Sequence, residues 1–431
     1  MTTAARIATP PHASALTLAA RYREVRGQTE ALCAPLEIED YVVSTMSDVS
    51  PTKWHLAHTS WFFETFVLAP FDDAYVSPNP KYSFLFNSYY VQAGERHCRA
   101  KRGIVTRPTV GEVFEYRAHV DEHMARLLHD VDADSRHPAA PLIELGLHHE
   151  QQHQELLLTD IKHVFWMNPL RPAYREPLAA TVDAAAPVAW HRVPTGVHRI
   201  GHDVETTADF AFDNESPAHR VFLDGCEIAS RLVTNAEYLE FIADGGYRRP
   251  ELWLSNGWAT VGEQRWTSPM YWERDGDAWM EFTLSGTHAL RATDPVCHVS
   301  YFEADAFARW AGCRLPTEQE WEVAAGTAAI DRPFVDARRM HPAPAPLESG
   351  ALSQLYGDVW QWTQSPYVAY PGYAPSAGAI GEYNGKWMCD QWVLRGASCA
   401  TPRSHARLTY RNFFPSNARW QFTGIRLARN V

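Results

Sequence analysis

The chain has no C-x-x-C pair and no regularly spaced cysteine framework; its seven cysteines stand at 33, 98, 226, 297, 313, 389 and 399. A disulfide-stapled secreted scaffold is therefore excluded, and a reduced, cytoplasmic setting is expected. No run of about 18 apolar residues occurs, so no helical membrane span is expected. Near the start, "ASALTLAA" is short and runs straight into "RYREVRGQTEAL", which predicts an amphipathic helix rather than a signal peptide. Positive charge is also scarce. The net charge of -12 argues against a nucleic-acid partner, because binding phosphates needs clustered Lys and Arg. No repeat with a fixed period is visible. What is abundant is ordinary globular material, with 45% hydrophobic and 21% charged residues. The 431 residues exceed one ordinary compact domain, so two are expected. The 16 Trp and 18 Tyr hint at a small-molecule pocket.

The two halves have different patterns. Helical spacing runs through about 14–34, 51–68, 109–133 and 139–167. Pro51 can occupy a first-turn position of the second helix, and Thr109 with Glu112 forms a capping-box pattern at the third. The long connection 69–108 makes this an up-down bundle with one crossover, whose core can hold a metal. "RPAYREPLAATVDAAAPVAW" then reads as an Ala- and Pro-rich linker. Beyond it come short strands, turns, and repeated Gly and Trp, with helices standing out only near 234–244 and 302–311. The expected class is α+β, with residues 1–175 as bundle, 176–190 as linker and 191–431 as a loop-rich mixed domain.

The chemistry concentrates in "LHHEQQHQELLLTDIKH". His149 and His153 are four apart on a predicted helix, so their imidazoles share one face and suit one metal. On spacing alone they could equally be a solvated face. His58, in "WHLAHTSWFFETF", sits among Trp54, Trp61 and Phe62 on an apolar face, where an unpartnered polar ring is costly. It either hydrogen-bonds a neighbouring helix or completes a three-histidine site. H-E-x-x-H also marks zinc proteases, but Leu156 and Thr159 replace the Gly and His of a metzincin. Glu150 is then expected to form a salt bridge rather than act as a general base.

In combination, "LAH", "HHEQQHQE", "FDNESPAHRVFLDGCEI", "VTNAEYLEFI", "PVCHVSYFEADAFARWAGCRLPTEQEWEVAA", "GDVWQWTQS", "VLRGAS" and "YRNFFPSNARWQFTGIRLAR" resemble the ergothioneine-biosynthesis sulfoxide synthases over nearly the whole chain. That family joins a DinB-like four-helix bundle to a C-type-lectin-like domain of the formylglycine-generating-enzyme type. The resemblance implies Fe(II) on His58, His149 and His153, with O₂ as co-substrate. Hercynine (trimethylhistidine) and a thiol would be joined at imidazole C2 and the sulfur oxidised to sulfoxide. Neutral imidazoles suit Fe(II), and three ligands leave positions open.

By the same resemblance Gln152 hydrogen-bonds the substrate imidazole or the carboxylate side. Tyr90, ahead of Tyr89, hydrogen-bonds or donates a proton during the oxygen chemistry. Asn412 and Phe413 contact hercynine, whose trimethylammonium suits an aromatic face. Phe414 stands where relatives using γ-glutamylcysteine carry Asp, which favours cysteine. In the basic run "GERHCRAKRG", Arg99 is expected to anchor the donor carboxylate, with Arg96 and Arg102 as lesser candidates. The alternatives stay open: Tyr89 and Tyr90 as packing, the arginines as a solvated loop. Cys399 has no second cysteine close by in sequence, unlike true formylglycine-generating enzymes, so copper-type thiol oxidation is not expected. Competing functions are selenoneine synthesis from a selenosugar, a metal-dependent DinB-like thiol transferase, and a binding module with a closed structural metal site.

Overall fold

The computed structural model describes residues 16–134, 136–176, 185–207, 209–326, 328–330, 334–346 and 351–431. Four long helices form the bundle: α1 (Leu18–Cys33), α2 (Thr52–Phe63), α3 (Val110–Ala133) and α4 (Ala140–Met167). Their ends follow local chemistry. The Thr17 hydroxyl accepts from Ala20 N–H, and Thr109 and Glu112 close the expected capping box on α3. α2 follows Pro51 and is buried along its whole length, then widens into a π-helical stretch at Glu64–Leu68. α1 packs on α3 and α4, and α2 packs on the same pair. A Cβ at Gly146 would lie 2.5 Å from the Phe63 ring, so only glycine lets α4 approach α2 this closely. That contact falls one turn before His149.

The 69–108 crossover is not irregular throughout. It holds a short helix (Tyr82–Phe86) and 3₁₀ turns at Val91–Ala93 and Arg99–Ile104. Much of the predicted linker, 177–184, lies outside the described residues.

The second half contains β1 (Trp190–Val193), β2 (Gly196–Ile200), β3 (His219–Leu223), β4 (Cys226–Ala229), β5 (Trp272–Asp275), β6 (Ala278–Thr283), β7 (Gly286–Ala289), β8 (Trp360–Pro366), β9 (Gln391–Gly396), β10 (Asn412–Pro415), β11 (Thr423–Gly424) and β12 (Ala428–Asn430). They form sheets ordered β1-β4-β12, β10-β9-β8-β11 and β5-β6-β7, with a β2-β3 hairpin. All pairings are antiparallel except β8 with β11. Helices α5 (Asn235–Ala243) and α7 (Tyr301–Trp310) lie where expected. Two longer ones were not anticipated, α6 (Ser255–Gln264) and α8 (Glu318–Ala325), nor was a four-residue helix at Glu382–Gly385.

The bundle and the β-rich half share a core. Tyr271, Phe282, Val359, Cys399 and Phe422 cluster with the bundle interior. The Glu155 carboxylate accepts from Trp360 Nε1 at 2.8 Å and Thr401 Oγ1 at 2.7 Å. Lys162 Nζ sits 2.7 Å from His298 Nε2. α4 is thus bundle helix and domain interface at once. Among the described residues, no helix is long and apolar enough to cross a membrane.

Candidate active site

His58 on α2 and His149 and His153 on α4 bring ring nitrogens within 4.8 Å of one another, all three residues buried. The hydrogen bonds fix which nitrogens are available. His58 Nδ1 lies 2.6 Å from the Phe86 carbonyl, which only accepts, so Nδ1 carries the proton and Nε2 is bare. Its ring is held between Trp54 at 4.5 Å and Trp61 at 5.4 Å, both nearly parallel. His55 Nε2 is 3.0 Å from an Asp160 oxygen, and His55 Nδ1 is 2.9 Å from His153 Nδ1. With Asp160 accepting from His55 Nε2, the N–H on His153 Nδ1 can be donated to His55 Nδ1, which leaves His153 Nε2 for the triad. Neither nitrogen of His149 has a partner, and His58 Nε2 has none either.

Burial is the largest cause lowering the basicity of all three rings, and it takes His149 down to about 3. They are therefore neutral imidazoles, the form that ligates metals. Orphaned buried nitrogens are costly unless something accepts from them or binds their lone pairs. These residues fit a metal ion. Among the described residues no fourth ligand closes the site: His55 is committed to Asp160, and His148 pairs with His405 at 2.9 Å and stacks on Phe210.

Glu150 points away from the triad. Its carboxylate accepts from Arg117 at 2.6 Å, Thr29 at 2.7 Å and Arg26 at 3.0 Å. Burial pushes its pKa up, but Arg117 and then Arg26 outweigh that and hold it at about 2. It ties α4 to α1 and α3 and does not face the triad.

A cavity of about 310 Å³ between bundle and second domain reaches His153. Tyr89, Arg99, Arg102, Gln152, Asn412, Phe413 and Phe414 all line it. Strand β10 carries the last three, paired to β9, and the Phe413 ring stacks on Tyr367 at 4.1 Å. Arg102 is buried and lies over the Trp54 ring at 3.4 Å. Its guanidinium donates to Ser50 and Ser88 hydroxyls at 2.9 Å each, and no carboxylate among the described residues pairs with it. Burial, followed by repulsion from Arg99, brings Arg102 down to about 9. Arg99 is half exposed and bound to the Asp48 carbonyl, with the Asp48 carboxylate 3.5 Å away. Arg96 is exposed, reaches the Ser88 carbonyl, and is not part of the lining. Tyr90 is not part of it either. It borders a second cavity together with His149. Burial is the main cause raising the pKa of both Tyr89 and Tyr90, so both phenols stay protonated.

The sequence did not single out Tyr383 and Tyr410. Tyr383 donates to Gln152 Oε1 at 2.9 Å, and Gln152 Nε2 donates to Tyr410 at 2.6 Å. The amide is thereby held across the domain boundary, with one N–H and one lone pair to spare. Tyr383 sits in a helix of only four residues, Glu382–Gly385, and Tyr410 in irregular chain, so neither carries a periodic signal. Asp160 and His55 were legible as polar residues on helices but not as partners.

A bundle with three histidines that could hold a metal ion, roofed by a β-rich domain, defines the architecture of the chain. Residues 21–157 match the model of the DinB superfamily, and 187–349 and 343–431 match that of the sulfatase-modifying factor enzyme 1-like domain. Hercynine oxygenase from Mycolicibacterium smegmatis is 32% identical over 408 residues, covering 89% of this chain and 92% of that protein. Hercynine oxygenase from Mycolicibacterium thermoresistibile is 38% identical over 246 residues, 52% of this chain and 54% of that protein. Ergothioneine biosynthesis protein 1 of Schizosaccharomyces pombe is 26% identical over 239 residues, 51% of this chain and 28% of that protein. The chain belongs to the ergothioneine-biosynthesis sulfoxide synthase family, that of the hercynine oxygenases.

Proposed function

We propose that the chain joins hercynine to a thiol, cysteine by preference, in an O₂-dependent reaction that forms a C–S bond and oxidises sulfur to sulfoxide. Family membership supports the coarser statement, an oxidoreductase of ergothioneine biosynthesis. The observation that carries the finer one is the open triad, its orphaned nitrogens beside a cavity that ends on Gln152, Arg102, Asn412 and Phe413. His58 and His153, each through Nε2, and His149 would hold Fe(II), which supplies a redox-active centre for reducing O₂.

The chain's own residues do the rest. Gln152 offers its spare amide valences to the hercynine imidazole. Phe413 and Asn412 flank the trimethylammonium end. Arg102, desolvated and without a carboxylate partner, takes the donor carboxylate, and Arg99 at the rim assists it. Phe414 offers nothing to the amino group of a γ-glutamyl donor, so the smaller thiol fits better. Tyr90 holds a proton at Oη on the cavity that also meets His149, and Tyr89 packs against Tyr383. The balance needs no external reductant. The C–H and S–H hydrogens leave with one oxygen atom as water, and the other atom stays on sulfur. The four electrons come from C–S bond formation and S-oxidation. The division into 1–175, 176–190 and 191–431 is part of this proposal.

The aromatic walls Phe414, Trp387 and Trp420 favour one competing donor, a selenosugar. Protein reconstituted anaerobically with Fe(II) is given hercynine, O₂ and either cysteine, γ-glutamylcysteine or selenosugar, with products read by mass spectrometry. Hercynylcysteine sulfoxide from cysteine is the expected product. A C–Se product alone means selenoneine synthesis. The absence of any O₂-dependent product returns the thiol transferase.

A further inference from the structure

The triad is bordered by two cavities. The one already described ends on His153; a second, of about 710 Å³, ends on His149. Gln152, Phe212, Tyr383 and Asn384 line both, so they form the wall between them. The two sides differ in chemistry. The first presents Arg99 and Arg102, with Arg411 beside them committed to Glu318, whereas the second has no Arg or Lys among its lining residues. Two of its carboxylates are already engaged: Glu144 by Arg21 at 2.7 Å, and Asp213 by Asn384 and Tyr373. An amino-acid carboxylate finds no cation there.

Toward the triad one flank of the second cavity is apolar, opposite the polar groups of Tyr90, Gln152 and Tyr383. Leu142, Leu145 and His149 follow one another at i, i+3 and i+7, so they occupy one face of α4 and lead along it to the ligand. Phe62 closes that end, its ring 4.7 Å from the His149 ring. Ile380 and Phe210 supply further apolar lining. Such a space favours a small uncharged molecule over a zwitterion.

We infer that the second cavity is the route by which O₂ reaches the triad, on the His149 side, while hercynine and the thiol enter through the first. Delivery from opposite sides of the Gln152–Tyr383 wall lets O₂ arrive after both organic substrates have filled their cavity. This inference rests on the O₂-dependent reading above.

The test uses Leu145→Trp and, one turn further back, Leu142→Trp. Either indole narrows the path without touching the first cavity. In the Fe(II)-loaded enzyme each variant should raise KM for O₂ roughly fivefold or more, with KM for hercynine and for the thiol unchanged. A second readout needs no turnover: crystals of the metal-free protein under xenon should show the gas beside Leu142 and Leu145, and Leu145→Trp should remove it. Unchanged KM for O₂ in both variants, with the wild type active, overturns the route alone. No xenon in the wild-type cavity overturns it as well. A wild-type protein that consumes no O₂ with any donor overturns the parent reading and the route together.

Discussion

Substituting Glu150→Gln separates two meanings of H-E-x-x-H. In a zinc protease this glutamate would be the general base, and the amide would abolish turnover while leaving the fold intact. Here the carboxylate is fully buried and neutralises Arg26 and Arg117 between three helices. Removing one member of a buried ion pair costs about 3–5 kcal/mol, because a desolvated charge is left behind. The low end applies, since Arg26 keeps Asp121 at 2.7 Å and Arg117 keeps Glu30 at 3.1 Å. For a unit the size of the bundle, about 3 kcal/mol lowers the thermal midpoint by roughly 6–12 °C. The pH dependence follows from the depressed pKa of Glu150. Its contribution is complete above the ordinary carboxylate value of 4.5 and is lost as pH falls toward about 2. Melting curves of metal-free wild type and variant, followed by circular dichroism, should therefore differ at pH 7 and converge toward pH 3. Equal midpoints at pH 7 would refute this role, as would a fully stable variant with no turnover.

Asp160→Asn breaks the accepting end of the Asp160–His55–His153 chain, and metal affinity should fall roughly 10–100-fold in a chelator competition. Unchanged affinity would mean His153 needs no help with its tautomer. Arg102→Met keeps the packing on Trp54 but removes the charge; KM for cysteine should rise roughly tenfold or more with hercynine binding by calorimetry unaltered. If Arg99→Met has the larger effect instead, the rim arginine is the anchor. His298 and His405 are held neutral mainly by burial, below the ordinary 6.5. The unfolded chain therefore takes up protons first, and stability that is complete above pH 6.5 declines as pH falls below it. Thermal midpoints of the metal-free protein from pH 8 to 5 should show that decline, flatter in a His298→Asn, His405→Asn double variant.

The bundle was legible because long amphipathic helices with caps such as Thr109–Glu112 announce themselves locally. The histidine triad was legible for the same reason: i, i+4 spacing on α4 and a histidine buried among aromatics on α2. Helix α8 carries a readable capping box, Thr317 with Glu320, but is only eight residues long and was absorbed into its loop-rich surroundings. α6 lacks a side-chain cap, so nothing local marks its start. Arg99 and Arg102 looked alike in sequence. Only tertiary packing distinguishes them, by burying Arg102 on Trp54 and leaving Arg99 on Asp48. Tyr383 and Tyr410 were invisible because their roles depend on Gln152, more than 200 residues away in sequence.

If the three-histidine centre uses O₂ to couple hercynine to a thiol, one atom of that O₂ ends on sulfur. Single-turnover reaction of the Fe(II)-loaded protein with hercynine and cysteine under heavy-isotope dioxygen reads this out. Hercynylcysteine sulfoxide should carry one labelled oxygen atom, with one O₂ consumed per product. An unlabelled thioether, or a product that forms equally well without O₂, would contradict it.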